Sequence, residues 1–511
     1  MAEDWAGFGR QPGAGRDVGC RMSLAARILS SIKWRVTTSF ITVLVRFLQA
    51  ILLARLLSVE IFGVFQYAVA IVTVCAVVAD FSLGDAMISR APETEDQDKA
   101  ASVLLTMLTI LGAVWAAGCT AVILVLDALS LIGPQLCIIM IVLVLARLAS
   151  VPLIVLQSVC VRAVSHRRMS LLRILQVVIG TVSALVLAMR GYEIWALLVI
   201  QVVPPVVVGI GLGVWRPVWR LRFGWDPAIA RYLLRFGLPG TVATFLSRLL
   251  DRLDNIWVGG VLGDAALGLY SRAFKFALYP STLLSPSINV VSQGAYAELM
   301  HDRKMLSQAF FRSTAVLLRA GFLFTGIIAV TAPEFVVLLI GRKWLPMVPS
   351  LWCLVLFSLL YPIRQTLNTL FLAVGRPGVL VRARVAQMVV LTAGLAILVP
   401  VLKIEGAAIA ASTMTLVGIV IFIKESRQHV DCTISRLIGG PVVAAVAAAV
   451  VSLSAPVFVP QVSGPVPLFV FKAGLFAGVY AILILIFERR DMLKMLRQAR
   501  PHGGAMFSMK H

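Results

Sequence analysis

Leu57-Ser58-Val59-Glu60-Ile61-Phe62-Gly63-Val64-Phe65-Gln66-Tyr67-Ala68 returns 205 positions later as Leu262-Gly263-Asp264-Ala265-Ala266-Leu267-Gly268-Leu269-Tyr270-Ser271-Arg272-Ala273. Both copies read leucine, an acidic residue, then Gly-x-(Phe/Tyr)-x-x-Ala. Each joins the first and second apolar stretches of a half-chain. A weaker match pairs Ala163-Val164-Ser165 with Ala373-Val374-Gly375, each after a fourth stretch and followed by a basic residue. Six apolar stretches separate the copies, an even number, so the halves are expected to share one orientation. That is a parallel repeat about an axis along a membrane normal, a body that works by rocking one lobe against the other around a central cavity.

The composition demands such a membrane setting. Of 511 residues, 60% are hydrophobic and 14% charged, with a mean hydropathy of +0.95. A soluble domain is about 45–50% apolar and about 25% charged. A spanning helix needs about 20 mostly apolar residues, and fourteen such stretches run from 36–57 and 61–81 to 434–459 and 466–487. They are continuous rather than alternating, which excludes spanning strands. The expectation is an all-α integral membrane protein of about fourteen helices. Its parts are a basic N-tail (1–35), an N-lobe of helices 1–6 (36–215), an inter-lobe linker (216–235), a C-lobe of helices 7–12 (236–424), helices 13–14 (434–487) and a basic C-tail (488–511). Residues 1–35 are Gly-rich and basic, with no small-residue cleavage site after the first apolar run, so they do not read as a signal peptide.

The net charge of +22 would fit nucleic acid, but its distribution excludes that partner. Of the 46 Lys and Arg, 32 fall on the side of both tails and 4 on the other (Arg190, Arg342, Lys343, Lys403), with 10 inside spans. This is the positive-inside bias, and it places both termini in the cytoplasm. The basic excess also meets anionic membrane lipids. All loops are short. There is no nucleotide-binding loop, and no acidic catalytic pair stands on an extramembrane loop. The seven cysteines have no ligand spacing. No enzyme activity, cofactor or metal is expected.

Charges inside spans carry the functional information, because each costs about 2.5–3.5 kcal/mol to insert at the bilayer centre. Arg46 lies in helix 1 with Gln49 near it, and Arg147 in helix 4. Helix 7 carries Arg248, Asp251, Arg252, Asp254 and Asn255. Helix 8 carries Arg272 and Lys275, and helix 10 carries Arg364. Arg248, Asp251, Arg252 and Asn255 follow i, i+3, i+4, i+7 spacing and are expected to form one stripe on one helix face. Arg46 plus the repeat shift lands on Asp251. The candidate substrate cavity is therefore Arg46, Gln49, Arg147, Arg248, Arg252, Asn255, Arg272, Lys275 and Arg364. Such a basic cavity suits a pyrophosphate, which accepts bidentate Arg contacts, and repels a cationic drug. Asp251, Asp254 and Asp80 are the candidate ion-coupling carboxylates. The structural alternatives are a helix-end or packing role for Asp80 and a counter-charge role for Asp251. Arg55, Arg319 and Lys472 lie near span ends and are expected to snorkel. Prolines at 204, 205, 239, 280, 286 and 362 are candidate bending points.

Two stretches carry a family resemblance. Ala54-Arg55-Leu56-Leu57-Ser58-Val59-Glu60-Ile61-Phe62-Gly63-Val64-Phe65, running on to Asp80-Phe81-Ser82-Leu83-Gly84-Asp85, resembles the first hairpin of Wzx-type polysaccharide flippases. Asp254-Asn255-Ile256-Trp257-Val258-Gly259 with Leu269-Tyr270-Ser271-Arg272-Ala273 is similar to their seventh-helix motif. These flippases belong to the multidrug/oligosaccharidyl-lipid/polysaccharide exporter superfamily. The resemblance covers about residues 30–430, and the last two helices match by hydropathy only. It implies a MATE-like fold in the bacterial inner membrane. It also implies alternating-access export of undecaprenyl-pyrophosphate-linked repeat units for exopolysaccharide, O-antigen or capsule, with a polysaccharide polymerase and chain-length or export proteins as partners. The rival readings are a cation-coupled drug antiporter, a lipid II flippase, a scaffold of a glycan assembly complex and a membrane glycosyltransferase.

Overall fold

A computed structural model describes residues 24–88, 97–162, 166–214, 221–431, 434–458 and 464–499. The terminal tails beyond these residues and the Ala163–Ser165 match lie outside them. The described elements are all helical. The first half contains α1 (Leu24–Leu56), α2 (Val59–Asp80), α3 (Leu83–Ile88), α4 (Gln97–Ala128), α5 (Pro134–Ala149), α6 (Val151–Arg162), α7 (His166–Met189) and α8 (Glu193–Gly209). The second half contains α9 (Pro227–Leu250), α10 (Leu253–Leu262), α11 (Asp264–Glu298), α12 (Arg303–Val330), α13 (Ala332–Leu339), a 3₁₀ turn (Arg342–Met347), α14 (Val348–Ala373) and α15 (Pro377–Ser426). Helices α16 (Ile434–Phe458) and α17 (Pro465–Ala499) follow.

Among the described residues, eleven helices are long and apolar enough to cross a membrane, so the chain is a multi-pass membrane protein. Three differences separate eleven from the expected fourteen. The seventh stretch is broken into α9 and α10: α10 is short, and α9 is long but carries Arg231, Arg235 and Arg248. The eighth, α11, carries Arg272 and Lys275 and is not apolar enough either. The eleventh and twelfth run together as the fifty-residue α15, which at about 1.5 Å per residue would far exceed a hydrocarbon core of about 30 Å. Lys403 divides α15, with φ 51° and ψ −127°.

Helix starts follow local chemistry more than hydropathy. α9 begins at Pro227, inside the stretch read as a linker. The Asp226 carboxylate accepts from the N–H groups of Ala228 (2.8 Å) and Ile229 (3.2 Å), and proline sits at the first helical position, where its missing N–H costs nothing. Asp226→Ala is expected to lower stability by about 0.5–2 kcal/mol, read as a modest fall in the thermal midpoint of the detergent-solubilised protein. A fall beyond that range would mean Asp226 does more than cap α9.

The repeat is visible as a contact. A Cβ added at Gly63 would lie 1.8 Å from the Asp264 carbonyl oxygen, and one at Gly268 would lie 2.2 Å from the Val59 carbonyl oxygen. Gly63 and Gly268 differ by the repeat shift, and so do Val59 and Asp264. The two contacts are thus the same contact seen from each half, where α2 and α11 approach backbone to backbone. One apolar core joins both halves here, from Ile51 to Met414. A second core lies within residues 83–233 and a third within 296–484.

The helix ends beside this crossing cap one another. The carbonyls of Ala54, Arg55 and Leu57 close α1. They accept from Trp344 Nε1 (2.9 Å) and Lys343 Nζ (3.1 and 2.6 Å), which satisfies the orphan carbonyls of a helix C-terminus with a cation. In return Arg55 donates to the carbonyls of Leu339 (2.7 Å) and Leu338. Arg55 remains exposed and ties α1 to α13. Lys472 does not snorkel. Its ammonium lies 2.6 Å from Glu334 Oε1, with both side chains nearly buried, so α17 is fastened to α13 by an internal ion pair.

Candidate functional site

The polar side chains collect in two places. The first is an open cavity of about 520 Å³ lined by α2, α3, α5, α6, α8 and α9. Asp80, Asp85, Arg147, Gln201 and Arg248 line it, with the hydroxyl groups of Thr73, Ser82, Ser150 and Thr244. Asp80 and Arg147 form an ion pair, and Arg147 Nη1 also donates to Ser150 Oγ at 3.3 Å. Arg248 lies within electrostatic range of Arg147. The corner between α2 and α3 is strained. Phe81 and Ser82 are both in the left-handed region, with φ of 43° and 49°, which non-glycine residues rarely occupy. Gly237 of α9 packs against the Phe81 carbonyl, and Ser82 Oγ lies 3.2 Å from Thr244 Oγ1.

The second place surrounds the break between α9 and α10. The helix stops at Leu250, Asp251 caps it, and Arg252 departs from helical geometry (φ −129°, ψ −12°). The expected stripe of Arg248, Asp251, Arg252 and Asn255 is therefore corrected: the break divides it, because an i, i+7 face exists only in an unbroken helix. Arg248 is left in the first cavity. Asn255 is buried and donates its amide to Asp254 Oδ1 at 3.1 Å. The other Asp254 oxygen accepts from Tyr270 Oη at 2.8 Å. The Asp254 carboxylate is thus occupied inside the protein and only 5% exposed.

Around this break the basic residues gather. Lys275 lies within electrostatic reach of Arg272 and Arg252, and Tyr279 within reach of Arg272 and Arg46. Tyr279 Oη also donates to the Arg46 carbonyl at 3.2 Å, which draws α1 to α11. Gln49 is buried one turn beyond Arg46. Arg272 is 5% exposed, its guanidinium 3.6 Å above the Phe62 ring, and its buried Nε has no hydrogen-bond partner among the described residues. The Nε of Arg364 is likewise buried and unpartnered, with its guanidinium 5.0 Å from the Tyr361 ring. A buried donor left unmade costs about 1–3 kcal/mol, so both guanidinium groups are poised for an acceptor.

Arg384 is the residue missed in the sequence. It lies within electrostatic reach of Asp251 and Arg364. Near the start of its apolar stretch it counts with the inner-loop charges, but Pro377 starts α15 and leaves Arg384 two turns inside. Proline at a helix start was the available signal. Among the described residues, Arg46, Arg252, Arg272, Lys275, Arg364 and Arg384 are thus linked through Tyr279, Asp251 and the internally occupied Asp254.

Residues 52–349 match the family model described as polysaccharide biosynthesis protein. The chain belongs to this family. Among polysaccharide biosynthesis relatives, the succinoglycan biosynthesis transport protein ExoT of Rhizobium meliloti (strain 1021) is 26% identical over 94% of this chain and 98% of its own length. The lipopolysaccharide biosynthesis protein WzxC of Escherichia coli (strain K12) is 24% identical over 70% of this chain and 72% of its own. The structure resembles the lipid II flippase MurJ in an inward closed conformation, with a TM-score of 0.72 at 13% identity over 91% of this chain and all of that one. This polysaccharide biosynthesis protein therefore has the fold of a membrane flippase.

Proposed function

We propose that the chain is a flippase moving undecaprenyl-pyrophosphate-linked oligosaccharide repeat units from the cytoplasmic to the periplasmic face of the bacterial inner membrane. The observation that carries this reading is the cluster of Arg46, Arg252, Arg272, Lys275, Arg364 and Arg384, with buried unpartnered donors on Arg272 and Arg364. A pyrophosphate is an acceptor with several negative charges, and guanidinium groups grip it through paired hydrogen bonds. Membership of the polysaccharide biosynthesis family supports the same substrate class, as do the succinoglycan and lipopolysaccharide relatives. Both termini lie in the cytoplasm, where the basic loops concentrate. The N-lobe (36–215) and C-lobe (236–424) rock about the α2–α11 crossing, with the lipid tail left in the bilayer. The chain does no covalent chemistry. Its partners are the lipid-linked substrate, the surrounding lipids and the polymerase and chain-length proteins that consume its product. Asp251, beside Arg384, is the better candidate for coupling to an ion, because Asp254 is already engaged.

The test is a host deleted for this gene and complemented with Arg252→Ala/Arg272→Ala. Two hydrogen bonds to a charged group are worth about 1.5–3 kcal/mol each, so export of surface polysaccharide is expected to fall at least a hundredfold. Lipid-linked units should accumulate on the cytoplasmic face while the variant remains in the membrane. Wild-type export by this variant would sink the proposal.

A further inference from the structure

The basic cluster and the 520 Å³ cavity differ in chemistry. The cluster is strongly positive and acts mainly as a donor. The cavity is balanced. Asp80 and Asp85 offset Arg147 and Arg248, and Arg147 already has its counter-ion in Asp80. Gln201, Ser82, Ser150 and Thr244 add groups that donate and accept, while Pro204, Pro205, Val72 and Leu143 give an apolar wall. A lining of balanced charge offers a pyrophosphate no net attraction. A sugar ring is the opposite kind of ligand: uncharged hydroxyls that need acceptors and donors together, with apolar C–H faces. The volume is within the range of small-molecule sites, about 300–1,000 Å³, and suits a short oligosaccharide better than a lone phosphate. The strained Phe81–Ser82 corner holds Ser82 at this wall against Thr244, and strain of that kind is kept where geometry matters to function.

We propose that this cavity is a carbohydrate subsite. It seats the sugars of the head group, while the pyrophosphate lies on the Arg252–Arg272 cluster. The inference rests on the flippase reading and deepens it. The repeat unit is selected by Asp80, Asp85, Arg147 and Gln201, and the shared lipid pyrophosphate is held elsewhere.

Full-length protein in lipid nanodiscs is titrated with two probes. One is undecaprenyl pyrophosphate without sugar. The other is the lipid-linked oligosaccharide extracted from the host deleted for this gene. Gln201→Leu is expected to weaken the sugar-bearing probe about tenfold and leave the sugar-free probe unchanged. Asp80→Asn, which keeps shape but deprives Arg147 of its counter-ion, should weaken the sugar-bearing probe without weakening the sugar-free one, whereas Arg272→Ala should weaken both probes. Gln201→Leu serves if Asp80→Asn fails to fold, because Gln201 is exposed to the cavity. Equal effects of the cavity substitutions on both probes, or no effect on either, would overturn the subsite and leave the flippase reading standing. A deleted host that accumulates no lipid-linked sugar would overturn the flippase reading, and the subsite with it.

Discussion

Leucine in place of Gly63 or Gly268 is expected to abolish export. In a side-chain core an added methylene costs about 1–3 kcal/mol because rotamers adjust around it. Here the obstacle is main chain. The Cβ alone would lie 1.8 Å from the Asp264 carbonyl oxygen at Gly63 and 2.2 Å from that of Val59 at Gly268. A carbonyl has no rotamer to yield, so α2 and α11 must separate. The cost is expected to reach at least about 3 kcal/mol, a factor of over a hundred in the population of the closed crossing at about 1.4 kcal/mol per tenfold. Because the two contacts are repeat images, the two substitutions should fail alike. Alanine should already be damaging, since the clash begins at Cβ. Gly118 is the control, for nothing lies within 4 Å of a Cβ added there. Gly118→Leu should export normally. Export is measured as surface polysaccharide in the deleted host, with membrane-inserted protein quantified in parallel. Wild-type export by Gly63→Leu would mean that the crossing opens at no cost and gates nothing.

The same glycines show what could be read in advance. The Gly-x-(Phe/Tyr) repeat was legible because close backbone approach leaves no side-chain alternative to glycine, so the need is written twice in the chain. The fold class was legible for a similar reason: a bilayer forces long apolar helices whatever their contacts. The candidate site was legible by composition, since most of its intramembrane cations stood out against an apolar background. Its division was not. The break at Asp251–Arg252 replaces one helix face by two sites, and no proline or glycine marks it. Arg384 was hidden by its place at the start of the eleventh apolar stretch, where it counts as one more inner-loop charge, although Pro377 marks where α15 starts. Pairings are a third kind of information. Asp80 with Arg147, Tyr270 with Asp254 and Glu334 with Lys472 join residues on different helices. Spacing rules describe neighbours on one helix and say nothing about these.

The last of those pairs should dominate the stability of the protein. Lys472→Ala is expected to cost about 3–5 kcal/mol, the usual penalty for leaving one member of a buried ion pair without its partner. Glu334 is poorly placed to absorb the loss. It is 8% exposed, and its Oε2 already lacks a hydrogen-bond partner among the described residues. Around the pair the packing is tight. Phe476, one turn along α17, is fully buried, and a Cβ at Gly326 of α12 would lie 2.1 Å from its ring. If the pair acts through charge, replacing both members should restore what replacing one removes. Lys472→Met with Glu334→Leu exchanges the two charges for apolar volume, a swap that is often neutral or stabilising. Thermal midpoints in detergent should then fall sharply for Lys472→Ala and recover in the double variant. A double variant as unstable as the single would assign the effect to lost packing by the lysine stem. An unchanged single variant would mean that α17 is held by its apolar face alone. Recovery carries the wider consequence that the last helix is part of the transport body, fastened to α13. Through Arg55 and Lys343, the short segment from α13 to the 3₁₀ turn also holds the end of α1. Loosening α17 should therefore be felt at the α2–α11 crossing, and export by Lys472→Ala should fall together with its stability.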